Sequence, residues 1–225
     1  MPYLVLVLVL VGCTAERIEP LRREADGRPA VPVAPLAPEL GVAITRQNTF
    51  VLDGEGYTCS AFAIGEYWAA TAAHCVVDGE LPLIVGDGRA RFVERTLRHP
   101  HGYDVALVRV GRAFVDWFEL SDFDAAEPGM KGSNGGYGCD GSLRLQDVVF
   151  GAEATWTALN CSGDSGGPVL DTAGRVLGTM THHETGRSGA VGLSLMTPIG
   201  NWRTWASDEM TSAADSAELL GRTAH

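Results

Sequence analysis

The chain has 225 residues, 45% of them hydrophobic, and a formal net charge of −11 at pH 7. This length allows one large core or two small fused ones, and the composition excludes a disordered chain. No block of Lys or Arg is present, and because phosphate binding needs a basic face, we expect no nucleic-acid partner. The 28 glycines, and short apolar runs that alternate with turn signals, favour an all-β sandwich or barrel.

The N-terminus carries a nine-residue apolar run, Tyr3–Val11. It is too short to span a bilayer, which takes about 20 residues, and fits the apolar part of a secretion signal over residues 1–12. Leu10 to Cys13 reads Leu-Val-Gly-Cys and resembles the bacterial lipobox, which implies cleavage before Cys13 and a lipid on that cysteine. No Lys or Arg precedes the run, and a buried N-terminal strand is the alternative interpretation.

A proline-rich segment follows over residues 13–40, with five prolines between Pro20 and Pro38. Proline fixes φ and removes a backbone donor, so we interpret this segment as an extended tether. Together with the lipobox it predicts a protein exported from a bacterial cell and anchored to a membrane. In a host with two membranes, Thr14 after the cysteine, in place of Asp, favours the outer membrane over other anchored locations such as the periplasm or cell surface. A secreted protein without an anchor is the alternative.

Residues 41–225 form the predicted folded domain, with barrel one at about 42–115 and barrel two at about 128–200. Turn signals at 53–56 and 86–89 separate strands in the first set, and six short strands are enough to close a small barrel. The predicted strands are Thr49–Leu52, Cys59–Ile64, Tyr67–Thr71, Leu83–Val85, Arg91–Leu97 and Val105–Val110, then Lys131–Tyr137, Leu143–Phe150, Ala154–Thr157, Pro168–Leu170, Val176–Thr181 and Val191–Met196.

The chain ends in a helical pattern within residues 201–221. Ser207 has the character of an N-cap, apolar residues recur at helical spacing up to Leu220, and Gly221 provides a stop signal. The predicted fold is therefore two six-stranded antiparallel barrels with a C-terminal α-helix.

Three segments contain residue types that together can perform nucleophilic catalysis. A serine hydroxyl needs a base, a group that orients the base, and donors for the developing oxyanion. His74 ends the apolar run "WAATAAH", Asp104 precedes the apolar run "VALVRV", and Ser165 lies in "CSGDSGGPV". A serine beside glycines is by itself more often a turn than a nucleophile, so the combination carries the argument.

These segments, TAAHC, Asp-x-Ala-Leu and GDSGGPV, resemble the motifs of the chymotrypsin-like (trypsin family) serine proteases over about residues 42–206. The order His74, Asp104, Ser165 is that family's order. The resemblance implies a serine endopeptidase in which Ser165 is the nucleophile, His74 the general base and acid, and Asp104 the orienting group. The N–H groups of Gly163 and Ser165 are then the oxyanion hole. It implies a protein or peptide substrate, no cofactor, and a monomer.

Five cysteines are present, and four remain if Cys13 carries lipid, an even number as disulfides require. The resemblance implies a Cys59–Cys75 bridge around the histidine. It leaves Cys139 as the partner of Cys161, since no cysteine follows Ser165. No CxxC spacing indicates structural zinc, and His99 with His101 is a weak metal signal without a further ligand frame.

The chain departs from the family at its specificity pocket. Leu159, followed by Asn160, stands at the pocket base where trypsin has Asp, so cleavage after Arg or Lys is not expected. The pocket-side strand reads Thr181-His182-His183. Thr181 offers a hydroxyl to Asp104, and an imidazole near the pocket suggests an acidic P1 residue; the alternative is that both histidines face solvent.

Activation is the other departure. Family zymogens release an N-terminal amine that pairs with the residue before the nucleophile, here Asp164, and no Ile-Val-Gly-Gly-like stretch lies at the expected distance before Cys59. Two alternative functions remain open at this point: an inactive surface binding module on the same scaffold, and an acyl hydrolase or esterase on the same triad.

Overall fold

The computed structural model describes residues 44–45, 48–86, 88–184 and 191–222. Within these ranges it describes the side chains of all but residues 182–184, 191 and 213–222. The predicted signal peptide, tether and Cys13 lie outside the described residues. No described helix has both the length and the apolar character needed to cross a membrane.

The first six strands form a closed antiparallel barrel, in the order β1-β2-β3-β6-β5-β4. Its ring is completed by backbone pairing between the first and fourth strands, for example Leu52 with Ile84. The strands are β1 Thr49–Gly54, β2 Tyr57–Gly65, β3 Trp68–Thr71, β4 Leu83–Gly86, β5 Arg89–Arg98 and β6 Ala106–Val110.

The interior of this first barrel is filled by small and aromatic side chains. Ala61, Ala63 and Ala69 are fully buried, which leaves room for the ring of Phe50. The guanidinium of Arg91, with only 1% of the residue exposed, lies 5.2 Å from the Phe50 ring centroid and 4.9 Å from that of Phe114. A buried cation is therefore held against two aromatic faces.

The last six strands form a second antiparallel sheet, in the order β8-β7-β10-β11-β12-β9, that curls into the second barrel. The edge strands β8 and β9 are joined by a side chain, because Gln146 Nε2 donates to the Leu159 carbonyl (2.8 Å) and Gln146 Oε1 accepts from the Leu159 N–H (3.0 Å). The strands are β7 Lys131–Gly136, β8 Arg144–Val149, β9 Thr155–Leu159, β10 Pro168–Asp171, β11 Val176–Glu184 and β12 Val191–Pro198.

A shared apolar core joins the two barrels and the C-terminal helix. Phe62 and Leu107 from the first barrel pack with Leu170 from the second and with Trp202 ahead of the helix. Phe118, in the connector between the barrels, donates its N–H to the Ala63 carbonyl at 3.0 Å. Since a cleft between two packed barrels needs a fixed interface, this core holds the site described below.

The predicted architecture is confirmed, and each predicted strand overlaps one observed strand. The helix differs: α1 spans Arg203–Arg222, so Ser207 and Gly221 lie inside it rather than at its ends. It begins after a 3₁₀ turn at Ile199–Asn201, where Trp202 is fully buried. Trp202 and Ala206 are buried against the barrels, and this burial sets where the helix starts. Its contribution outweighs the capping preference of Ser207.

Both disulfides are present. Cys59 is bonded to Cys75, with a Cα–Cα separation of 6.1 Å, and Cys139 to Cys161, at 5.0 Å. The first joins β2 to the segment after β3. The second joins the segment after β7 to the one after β9, so each ties two neighbouring segments next to the cleft.

Candidate active site

His74 lies in a 3₁₀ turn, Ala73–Cys75, directly after β3. The Cys59–Cys75 disulfide fixes the C-terminal end of this turn to β2. The His74 side chain is 48% exposed, so its imidazole can reach a molecule in the cleft while its backbone is held on both sides.

Asp104 lies just before β6 and accepts two hydrogen bonds from His74. One comes from ring Nδ1 to Oδ2 at 2.8 Å and the other from the backbone N–H to Oδ1 at 2.9 Å. Because the carboxylate only accepts, a proton is on Nδ1, and in the neutral ring Nε2 is then the acceptor. Burial acts to raise the pKa of the Asp104 carboxyl, but the hydrogen bonds from His74 outweigh burial and lower it.

Ser165 lies in the loop between β9 and β10, against the end of the first barrel. Its carbonyl accepts from the Ser60 N–H at 2.8 Å and lies 3.9 Å from the Sγ of Cys75, the residue after His74. Among the described residues no hydrogen bond joins the Ser165 hydroxyl to His74. In substrate-free sites this contact is commonly long and tightens on binding.

The loop around Ser165 has a conformation that only glycine accommodates at three positions. Gly163 has a φ of +102°. A Cβ at Gly166 would lie 2.2 Å from the Ser60 carbonyl oxygen, and a Cβ at Gly167 would lie 2.1 Å from the Gly135 carbonyl oxygen. The N–H groups of Gly163 and Ser165 donate to none of the described residues, whereas those of Asp164, Gly166 and Gly167 do. Two backbone donors beside Ser165 are thus available to a ligand.

Asp164 is 2% exposed and its carboxylate is fully engaged. Oδ1 accepts from the Gly138 N–H at 2.6 Å. Oδ2 accepts from the Cys161 N–H at 2.8 Å and from the guanidinium of Arg144 at 2.8 Å. An internal cation therefore occupies the place at Asp164 where the family resemblance implied an N-terminal amine. Sequence reasoning missed Arg144, since a single Arg in β8 carries no local signal.

The residues predicted for the specificity pocket separate in the structure. Leu159 is half-buried at the end of β9. Asn160 is fully buried, with its side chain turned into the second barrel, where it accepts from Asn134 at 3.1 Å and donates to Ser194 at 2.7 Å. The Asn160 side chain thus links Asn134 on β7 to Ser194 on β12 inside the second barrel. The side chains of His182 and His183 lie outside the described residues.

Thr181 does not pair with Asp104 as expected. Its hydroxyl donates to the Leu195 carbonyl across the strand pair, at a long 3.5 Å. The Asp104 carbonyl instead accepts from the Thr197 hydroxyl at 3.2 Å. Thr197 lies on β12, so the strand next to the expected one supports the backbone of Asp104.

An open cavity of about 450 Å³ lies between the β1–β2 hairpin and the loop that carries Ser162 and Ser165. Thr58 on its wall precedes the disulfide-bonded Cys59, and Ser162 precedes the oxyanion-hole candidate Gly163. The cavity is lined by Asp53, Gly54, Gly56, Tyr57, Thr58 and Ser162. The cavity lies on the side of this loop that faces the first barrel. His74 lies on the same side.

His99, weighed above as a metal ligand, is instead packed into an aromatic cluster. It is 6% exposed and lies 4.8 Å from Trp205 of α1, between ring centroids. Its Nδ1 accepts from the His101 N–H at 3.2 Å. Burial, followed by the charge of His101, lowers the pKa of His99, which favours the neutral ring in this position.

Comparisons with known proteins agree with this geometry. Residues 59–178 match the trypsin-like peptidase domain family. Mouse neuropsin, a serine protease, superposes with a TM-score of 0.62 at 19% identity, over 73% of this chain and 95% of that protein. A serine endoprotease from Yersinia pestis gives 0.61 at 15% identity, over 79% and 66%. A human astrovirus serine protease gives 0.57 at 18% identity, over 71% and 95%. A search of curated proteins found no match.

Proposed function

Because the chain belongs to the trypsin-like peptidase family, we propose that it is a serine endopeptidase that uses Ser165, His74 and Asp104. One observation carries the proposal: the backbone N–H groups of Gly163 and Ser165 donate to none of the described residues. Ser165 itself packs against the turn that contains His74. A protease needs donors of this kind at the point where negative charge develops.

The proposed reaction begins when Ser165 Oγ attacks the scissile carbonyl carbon and His74 Nε2 takes the hydroxyl proton. The two N–H groups stabilise the oxyanion of the tetrahedral intermediate. His74 then gives the proton to the leaving amine, and an acyl-enzyme ester on Ser165 remains. Water repeats the sequence with His74 as base, which releases the acid and restores Ser165. Asp104 holds Nδ1–H throughout and stabilises the imidazolium.

The cavity beside the nucleophile loop supports cleavage within a chain rather than at its end. His74 protonates the leaving amine, so the leaving segment departs on the first-barrel side of Ser165. The cavity between the β1–β2 hairpin and Ser162 lies on that side and is open. A substrate chain can therefore extend beyond the scissile bond, as an endopeptidase requires.

We further propose that the site is assembled without release of a new N-terminus. Arg144 already neutralises the buried Asp164 carboxylate, which otherwise lacks a cation among the described residues. The disulfide between Cys139 and Cys161 holds the two segments whose N–H groups also bind Asp164. The chain is therefore expected to react without cleavage between residues 14 and 40.

For specificity, we propose cleavage that is not trypsin-like, because Leu159 cannot pair with a basic P1 side chain. An acidic P1 preference through His182 or His183 is the specific hypothesis, since a protonated imidazole pairs with a carboxylate. Profiling a peptide library at pH 6 and pH 8 tests it. Preference for Glu or Asp that weakens at pH 8 is expected, and the absence of any such preference at pH 6 refutes the hypothesis.

We propose an exported protein, because disulfides persist mainly in oxidising compartments. Anchoring through a lipid on Cys13 is part of this proposal. It is tested by incorporation of labelled palmitate into the wild-type protein and into Cys13→Ala in a bacterial host. Label in the first and not the second is expected, and equal labelling of both contradicts a lipid on Cys13.

The central experiment is intact-mass analysis of the full-length protein after treatment with a fluorophosphonate, beside Ser165→Ala. One adduct on the wild type that is absent from the variant, and from heat-denatured wild type, is the expected result. Matched amide and ester substrates then separate a peptidase from an acyl hydrolase. If no adduct forms, the sample is labelled again after limited cleavage in residues 14–40; an adduct at that stage refutes self-sufficient assembly. None at either stage supports a binding module.

A further inference from the structure

We propose that Ser60 is a positioning residue that sets the carbonyl of Gly163, and with it the oxyanion-hole loop, from the opposite barrel. The proposal deepens the proposed peptidase function and rests on it for its catalytic consequence. Ser60 follows Cys59 in β2 and is fully buried. Its hydroxyl donates to the Gly163 carbonyl at 2.7 Å and accepts from the Tyr137 N–H at 2.8 Å.

The backbone of Ser60 adds two further bonds at the same place. Its N–H donates to the Ser165 carbonyl at 2.8 Å, and its carbonyl accepts from the Thr71 hydroxyl at 2.7 Å. Thr71 ends β3, three residues before His74. One buried residue therefore bonds to the carbonyls that flank Asp164 and to the strand that leads to the histidine.

The hydroxyl acts on the part of the loop with the greatest conformational freedom. Gly163 has a φ of +102°, and without a Cβ its neighbouring peptide planes rotate more easily than those of other residues. The bond from Ser60 Oγ fixes the Gly163–Asp164 peptide plane. This plane lies between the two planes that carry the Gly163 and Ser165 N–H groups, so fixing it limits how far those N–H groups rotate relative to each other. An alanine here leaves the Gly163 carbonyl and the Tyr137 N–H buried without this partner.

The hydroxyl also links elements from both barrels. Gly163 and Tyr137 belong to the segments after β9 and β7 in the second barrel, whereas Ser60 lies in the first. Because the general base and the nucleophile come from different barrels, their relative position depends on contacts across this interface. Small displacements of reacting groups cost as much as about 100-fold in rate.

The test uses full-length Ser60→Ala and Ser60→Gly, both of which remove the hydroxyl, beside Ser121→Ala as a matched control. Ser121 is also fully buried, and its hydroxyl donates to Asp171 at 3.0 Å away from the nucleophile loop. We expect kcat to fall about 10- to 100-fold in both Ser60 variants, with KM within about 3-fold of wild type. Ser121→Ala should keep kcat even where it lowers stability to the same extent.

A second readout does not depend on activity. Hydrogen–deuterium exchange of a peptide that covers residues 159–168 is expected to be at least about 10-fold faster in Ser60→Ala than in wild type, and unchanged in Ser121→Ala. Unchanged exchange in both Ser60 variants overturns the proposal, even if the wild type proves inactive. Faster exchange with wild-type kcat overturns its catalytic part. A wild type that forms no fluorophosphonate adduct before or after cleavage in residues 14–40, but shows faster exchange in Ser60→Ala, refutes the peptidase function and leaves the positioning role supported.

Discussion

The two barrels hold their parts of the site in different ways. Barrel one closes by backbone pairing between β1 and β4 and carries His74 and Asp104, which are joined directly at 2.8 Å. Barrel two closes through the Gln146 side chain, and its loop around Ser165 is held by the side chains of Arg144 and, from barrel one, Ser60. Backbone pairing tolerates most substitutions, whereas a single side-chain contact does not, so barrel two is expected to be the more sensitive half.

The largest expected loss of stability is that of a substitution at Arg144. Arg144→Met leaves the Asp164 carboxylate buried without its cation, which costs about 3–5 kcal/mol in the free energy of unfolding. The control in barrel one is Arg109→Met, whose ion pair with Glu94 is half-exposed and worth at most about 1 kcal/mol. Urea denaturation measures both. Equal losses in the two variants would break the proposed contrast between the barrels.

The disulfides provide a comparison in which the two barrels should behave alike. Cys59→Ala/Cys75→Ala and Cys139→Ala/Cys161→Ala open loops of 16 and 22 residues. In the chain-entropy model each loses about 3 kcal/mol, and the two losses differ by only about 0.3 kcal/mol. Calorimetric unfolding measures them. A much larger loss for the second pair would show that this bridge also holds native contacts around Asp164.

The third comparison concerns the place where each barrel closes, which we call its seam: β8 against β9 in barrel two, and β1 against β4 in barrel one. Gln146→Leu removes two hydrogen bonds to the Leu159 backbone, which is expected to cost about 2 kcal/mol and to change P1 selectivity at Leu159. At the corresponding seam of barrel one, Asp53→Ala alters an exposed side chain while the backbone pairing to Leu83 remains, so we expect less than about 0.5 kcal/mol. Denaturation and a P1 peptide library give the two readouts. Unchanged selectivity in Gln146→Leu would refute its support of the pocket base.

The smallest expected effect is on the pH dependence of stability, through the contribution of the Asp104 carboxylate to the free energy of unfolding. Its folded-state pKa is lowered, so its ionised form stabilises the fold above the unfolded-state value of about 3.9, and this contribution is lost as pH falls through the folded-state pKa. The stability difference between wild type and Asp104→Asn should shrink as pH falls below about 4. Asp147→Asn, an exposed carboxylate on β8, is the control. A difference that grows below about pH 4 contradicts the lowered pKa of Asp104.

The strands were predictable because their signals are local. Alternating apolar residues, with turns at positions such as Gly56 and Gly88, separate one strand from the next, and the observed bounds differ from the predicted ones by a few residues. The start of the helix was not predictable from local signals, because Trp202 and Ala206 pack against barrels formed by residues distant in the sequence. Capping preference at Ser207 amounts to about 1 kcal/mol, less than burial of a tryptophan contributes.

The sequence by itself determined the family, the order of His74, Asp104 and Ser165 and the two-barrel fold, because each rests on short motifs or a local period. The cysteine pairs followed from the family resemblance and from the number of cysteines. Only the tertiary structure decided that Arg144 neutralises Asp164, that Gln146 closes barrel two, and that Ser60 bonds to Gly163. The last contact joins residues 103 positions apart. A single polar side chain in a strand carries no signal of its partner, since the partner is chosen by how the two barrels pack.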